Sequence, residues 1–269
     1  MHGAKLQLSL IRLHAMPMLS LQPQSTLPAK TPARSLVRAS ETNPMYTPKF
    51  NQVSDRAVLL EAMRENSFAI LFGPLGASDT PPAHFATHLP LVVKDEGEHG
   101  LIEGHFAAAN RHWQALAGRE TLVVFPGAHS YVSPSLYTES LSVPTWNYIA
   151  IHAYGTLSLI EDDPGKEALL KGLISQNEPG YLDRWQSMPD GFRRTMLAGI
   201  MGFRIPIERI EGKFKVSQNR AAEERRNVFA AHMAGTPDQQ ILARWMERLA
   251  DPEFDLRNTG APIAKSDKP

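Results

Sequence analysis

The chain has 269 residues, 42% hydrophobic and 21% charged, which is enough length and apolar content for one large domain with a sizeable core. Its 28 Lys and Arg balance 28 Asp and Glu, so the broad basic footprint by which proteins grip nucleic-acid phosphates is absent. With no Cys, disulfides, thiolate metal sites and Cys nucleophiles are excluded, a reducing cytoplasm is the expected location, and no apolar run approaches the roughly 20 residues of a membrane helix.

Residues 1–44 carry Lys5, Arg12, Lys30, Arg34 and Arg38 against one acid, Glu41, with scattered prolines. The segment reads as a disordered N-terminal extension, or as sequence ahead of a second start at Met45; a basic, acid-poor transit peptide is the alternative. Ser54 is placed to cap a short helix with Val58, Leu59, Ala62 and Met63 on one face. Ser67–Phe72 reads as a strand, and Gly73 to Gly76 and Asp79 to Pro82 read as turns. Ala83–Val93 reads as a second strand, 94–100 as a charged connection, and Leu101–Ala107 as the returning strand. Asn110 is placed to cap a short helix bearing Trp113 and Leu116, closed by Gly118. Thr121–Phe125 and His129–Val132 read as two strands around a Pro-Gly turn. Pro144–Ile160 reads as a long strand in which Ile149, Ile151, Ala153 and Leu157 alternate with Tyr148, His152 and Tyr154.

Helices are expected at about 164–176 and 191–201, strands at Phe203–Ile210 and Lys213–Val216, and helices at Ala221–Ala234 and Thr236–Ala250. Thr236-Pro-Asp238 supplies an N-cap, a proline at the first helical position and an early acid. Residues 251–269 read as a flexible tail. Short strands at close spacing with few intervening helices predict a mainly β fold with added helices, an antiparallel barrel rather than a parallel sheet. The expected organisation is a barrel domain at 45–219, a helical insertion at about 164–201 within it, and C-terminal helices at 220–250.

Three segments, Gly104–Trp113, Gly127–Pro134 and Val143–Gly155, set Trp, Tyr, His, Asn and Ser in apolar, strand-like surroundings. That mixture suits a planar ligand with a polar edge better than a metal or a nucleophilic cleft. Thr87 and His88 can offer a hydroxyl and an imidazole to a ring edge, or form the wet face of a strand. Gly104 permits close backbone approach, and His105 and Asn110 sit where a strand enters a helix whose free amides can meet a phosphate. In the bland reading Asn110 only caps and Trp113 only packs. Ser130 and Ser133 can donate to a ligand. Trp146 beside Asn147 is poor turn and poor surface chemistry, although a strand Trp is also at home in a core or interface. Lys213 and Lys215 share a strand face with Ser217 and can hold a phosphate, or with Glu208 and Glu211 form a solvated hairpin. No G-x-G-x-x-G, P-loop or G-x-S-x-G is present, and the histidines, including His84 and His88 on one strand face, lack an H-E-x-x-H spacing.

In chain order, Met45-Tyr-x-Pro48, His88-Leu-Pro-Leu91, Gly104-His-x-Ala-x-Ala-Asn110, His129-Ser-Tyr-Val-Ser-Pro134, Val143-Pro-Thr-Trp-Asn-Tyr148, and Glu211-Gly-Lys213 with Ser217-Gln-Asn219 resemble the PaiB family of FMN-binding negative transcriptional regulators. The resemblance implies a split barrel like that of the pyridoxamine-phosphate oxidases, dimeric, with FMN at the subunit seam. It implies flavin contacts from Thr87, His88, Gly104, His105, Ala107, Asn110, Ser130, Ser133, Trp146, Asn147, Lys213 and Lys215. It also implies repression of genes for extracellular protease synthesis and sporulation, or of stress genes, through DNA bound directly or by a partner. Relatives commonly carry Arg where this chain has Ala108, which removes a bidentate phosphate partner and puts flavin occupancy in question. Arg111 lies three positions on. Direct DNA binding lacks a helix-turn-helix or net positive charge to support it. The same architecture hosts FMN-dependent oxidoreductases, so that function stands as the alternative.

Overall fold

The computed structural model describes residues 45–74, 84–252 and 254–257. The expectations for the leader, for Gly76 and Asp79 to Pro82, and for the end of the tail lie outside them. In chain order the elements are β1 (Gln52–Val53), α1 (Arg56–Glu65), β2 (Phe68–Pro74), β3 (His84–Pro90), β4 (Val92–Lys94), β5 (Leu101–Ala107), α2 (His112–Leu116) and β6 (Glu120–Val132). There follow β7 (Thr145–Thr156), β8 (Ser158–Ile160), α3 (Asp163–Asn177), α4 (Leu182–Ser187), α5 (Asp190–Ala198), β9 (Ile200–Pro206), β10 (Arg209–Lys215), α6 (Ala222–Met233) and α7 (Pro237–Arg248).

The strands form a six-stranded sheet, β1-β10-β7-β6-β2-β3, and a four-stranded sheet, β4-β5-β9-β8, with every pairing antiparallel. This is the expected antiparallel barrel, split into two sheets. The chain crosses from one sheet to the other at Leu91, between β3 and β4, and at Leu157, between β7 and β8. Both corner residues are fully buried. The two corners correct the expectation of unbroken strands at Ala83–Val93 and Pro144–Ile160. An apolar run that turns a barrel corner keeps its hydrophobicity while changing partners, so its composition hides the break.

The inner faces form the core. Leu71, Val123, Phe125, Ile149, Ile151 and Phe214 from the large sheet meet Ile102, Phe106, Phe203 and Ile205 from the small one. Each such fully buried side chain contributes on the order of 1.5–3 kcal/mol. The predicted alternation along β7 holds, with Ile149, Ile151 and Ala153 inward. α6 and α7 close one end of the inner face, where Trp245 meets Phe214 edge-on at 5.1 Å between ring centroids. α3 packs through Leu169 and Leu173 on Ile160, outside the small sheet.

Several boundaries shift for local reasons. Asp55, not Ser54, caps α1, its carboxylate accepting from the Val58 amide at 3.0 Å. The Pro-Gly turn inside 121–132 is a bulge within one strand, β6, where the register shifts between Pro126 and His129. A bulge tolerates the missing proline N–H. The β9–β10 turn falls at Ile207 and Glu208 rather than at Glu211-Gly212, because Gly212 pairs with Ile151 in mid-strand. α5 stops at Ala198 so that Ile200 can begin β9.

Candidate functional site

The outer face of the six-stranded sheet brings part of the predicted set together. Strand register aligns His88, Ile70, Val124, His152 and Glu211 in one row across β3, β2, β6, β7 and β10. A parallel row pairs Tyr131 with Trp146, and another runs from His129 through Tyr148 to Lys215. His88, Trp146, Lys213 and Lys215 therefore share one face. It is unusually apolar and open for a sheet face: Phe68, Phe72, Tyr131 and Trp146 are 61, 37, 49 and 52% exposed. Trp146 stands edge-on to Tyr131, with ring centroids 6.1 Å apart, and 6.2 Å from the His129 ring. Within one chain His88 and Lys213 are four inter-strand spacings apart, on the order of 19 Å.

At the β10 end of this face lies a chamber of about 200 Å³, lined in part by Asn51, Tyr137, Thr145, Lys215 and Arg220. Lys215 Nζ donates to Thr145 Oγ1 at 2.5 Å and to the Trp146 carbonyl at 2.6 Å. Burial, then Arg220 and Lys213, hold its pKa below the ordinary lysine value. Lys213 donates to the Tyr46 carbonyl at 2.8 Å and lies 5.4 Å from the Tyr46 and Tyr148 ring centres. Arg220 stacks 3.8 Å over the Tyr137 ring and pairs at 3.6 Å with buried Glu224, which also accepts from the Thr138 and Glu139 amides. The stacked guanidinium is not aligned to donate to the phenol, and the buried Tyr137 hydroxyl has no hydrogen-bond partner. Burial raises its pKa.

The remaining predicted residues lie elsewhere. Trp146 and Asn147 point to opposite faces, since successive strand residues alternate, so they cannot serve one ring edge within a chain. Asn147 is fully buried; its Nδ2 donates to Ser217 Oγ at 3.0 Å and lies 3.4 Å from His232 Nε2. Ser217, with φ +67°, turns its hydroxyl inward to Asn147 and leaves the lysine face. Ser130 also faces inward and donates to the Tyr131 carbonyl at 3.1 Å, while Ser133 caps a single-turn helix at Pro134–Leu136. Gly104 serves packing, because a Cβ there would stand 2.6 Å from Leu91 Cδ2 and 2.8 Å from the Phe203 ring. His105 faces a cavity of about 360 Å³ beneath α3, its Nδ1 buried without a partner and its pKa lowered by burial.

Thr87 and Asn110 meet on a residue that sequence reading passed over, His112. Asn110 Nδ2 donates to Thr87 Oγ1 at 3.4 Å, and Thr87 Oγ1 shares a 2.8 Å hydrogen bond with His112 Nδ1. That order leaves the Thr87 proton for Nδ1 and puts the ring proton on Nε2, which is buried and unpartnered. Asn110 Oδ1 takes the His112 amide at 3.0 Å, so the expected free amide at the start of α2 is already used. Ala107 and Ala108 are exposed beside this network.

The family described as "Putative FMN-binding domain" matches residues 45–209. The "Protease synthase and sporulation protein PAI 2" of Bacillus subtilis is 35% identical over 208 residues, covering 76% of this chain and 97% of its own. The chain belongs to the PaiB family. An uncharacterized protein of Emericella nidulans, AN0679, is 28% identical over 225 residues, covering 69% of this chain and 89% of its own. Among solved structures, the flavocytochrome Anf3 of Azotobacter vinelandii aligns with a TM-score of 0.48 at 14% identity, over 64% of this chain and 74% of that one. Within the PaiB-family chain, the pieces that carry the resemblance are spread over both faces of the large sheet and the β5–α2 junction. Chemically, the outer face offers aromatic surface and the adjoining chamber offers cations, the two requirements of a flat ligand with an anionic tail. Asn51, His112 and Tyr137 escaped the sequence reading because each meets its partners from a distant segment, whereas Arg220, five residues after Lys215, reads in sequence only as part of a local cationic zone. Among the described residues no group of three His, Asp or Glu converges as a metal site, and no helix is long and apolar enough to cross a membrane.

Proposed function

We propose that the protein is a cytoplasmic, FMN-binding negative transcriptional regulator of the PaiB type that works as a homodimer. In this reading residues 45–219 form the flavin domain with the 164–201 insertion, and 1–44 lie outside it. The observation that carries the proposal is the open aromatic face of the six-stranded sheet ending in Lys213 and Lys215. A twofold seam is self-complementary, so residues far apart on one sheet, such as His88 on edge strand β3 and Trp146 on β7, can meet across it. Trp146, His88 and the exposed Ala107 turn would meet the flavin, with Lys213 and Lys215 toward its phosphate. Half-buried Thr87 and Asn110 and buried Asn147 and Ser130 serve as supports. The aromatic surface and the nearby cations fit the cofactor without the guanidinium that Ala108 lacks. DNA would be reached directly or through a partner protein.

Titrating FMN into the purified protein while following flavin fluorescence tests this reading. Saturable quenching is expected, and an unchanged signal at high protein concentration would refute flavin binding. A gel shift on the protein's upstream DNA, sequence-selective and weakened by salt, is expected for a direct regulator. Catalytic turnover of FMN with NADPH would instead support the oxidoreductase.

A further inference from the structure

We propose that the chamber beside β10 is an oxyanion socket that takes a phosphate group, and that Lys215, Arg220, Tyr137 and Asn51 form it. Three features of the walls point there. Lys215 and Arg220 both line the chamber, Lys213 projects from the same strand face as Lys215, and Glu224 pairs with Arg220 at 3.6 Å. Burial first, then Arg220 and Lys213, lower the Lys215 pKa. Among the described residues Lys215 has no carboxylate within ion-pair distance; its partners are a hydroxyl and a carbonyl. Holding the Lys215 ammonium beside other cations with no carboxylate of its own is unfavourable, and a bound anion relieves it.

The second feature is unspent hydrogen-bonding capacity. Tyr137, 9% exposed, and Asn51, 2% exposed, line the chamber, and the Tyr137 hydroxyl and Asn51 Oδ1 are buried without partners. A buried hydroxyl and amide are normally satisfied. An oxyanion would accept from the phenol, and from the Asn51 amide in its flipped assignment, since amide O and N are interchangeable in position. The third feature is size: about 200 Å³ is several water volumes of roughly 30 Å³, room for a tetrahedral anion but not for a tricyclic ring system with its side chain.

The phosphate could come from a free anion or from the tail of FMN. The second source rests on the flavin reading above, and the first does not. Calorimetric titration of the full chain with inorganic phosphate, FMN and riboflavin separates them, using native protein, Lys215→Met and Tyr137→Phe, with melting curves to confirm folding. Phosphate binding is expected, weakened about tenfold or more in Lys215→Met, the loss typical of a charge-assisted hydrogen bond, and less in Tyr137→Phe. FMN binding more tightly than riboflavin, with that gap closing in the variants, assigns the socket to the flavin's phosphate. Phosphate binding that depends on Lys215, with no flavin binding, keeps the socket and removes the flavin reading. Phosphate binding absent, or equal in native protein and both variants, together with an FMN-to-riboflavin gap that neither variant changes, overturns the socket. Should Lys215→Met fail to fold, Tyr137→Phe decides by the same readouts.

Discussion

His112 and His232 are 0 and 1% exposed, and each keeps a ring nitrogen buried without a partner. Burial lowers both pKa values below that of an ordinary imidazole, because the imidazolium cannot be hydrated where the neutral ring sits. The folded-state values lie below the unfolded ones. Stability from these residues is therefore full above about 6.5, where both states are neutral, and is lost as pH falls through the folded-state pKa. Melting temperature should drop between pH 7 and pH 5, and His232→Gln should flatten that slope while lowering the plateau. A slope unchanged in His232→Gln would place the acid sensitivity elsewhere. The Asn147–Ser217–His232 contact explains why His232 matters, since protonation would put a charge against an amide nitrogen that already donates to Ser217.

At the scale of elements, α7 owes its start to a capping box in which Thr236 Oγ1 accepts from the Gln239 amide and Gln239 Oε1 accepts from the Thr236 amide. α7 also delivers Leu242, Trp245 and Met246 to the core. Thr236→Ala should cost about 1 kcal/mol, within the 0.5–2 kcal/mol range of such caps, in denaturant midpoint at unchanged slope. β7 depends on a different restriction: a Cβ on Gly155 would stand 2.1 Å from the Pro206 carbonyl oxygen, where backbone cannot yield as a side chain would. Gly155→Ala should destabilise by roughly 1–3 kcal/mol or more, seen as a lower midpoint in the same measurement. The Thr236 cap was legible because an N-cap, a following proline and an early acid are adjacent in sequence; the return bond from Gln239 was not. β5, α6 and α7 were legible for the same kind of reason, as periodicity and caps are local signals. The barrel corners at Leu91 and Leu157 were not, because pairing partners decide them. The site was legible only as residue types: Trp146, Lys213 and Lys215 do share a face, whereas Asn147 and Ser217 are turned inward by strand alternation and by a left-handed backbone that no local pattern announces.

The whole molecule carries no net charge, so general electrostatic repulsion does not hold copies apart. A six-stranded sheet is about 24 Å wide, and its longest strand, with 13 residues, runs about 43 Å. That outer face is large enough for a standard interface of about 800 Å² per partner. It also carries exposed Trp146 and Tyr131 near Lys215, and buried aromatic anchors of this kind supply most of the free energy in protein interfaces. Trp146 is half exposed in the single chain, so replacing it should leave the fold intact. Trp146→Asp would place a charge in the seam and remove an anchor of about 2–4 kcal/mol, weakening association by roughly 30-fold or more. In sedimentation velocity the native protein should run as a dimer and Trp146→Asp should shift to monomer at the same concentration. Phe192→Asp, on α5 and 49% exposed, should leave the dimer unchanged. Dissociation by Phe192→Asp with a dimeric Trp146→Asp would move the seam to the helical insertion, and would separate Lys215 from any shared flavin pocket.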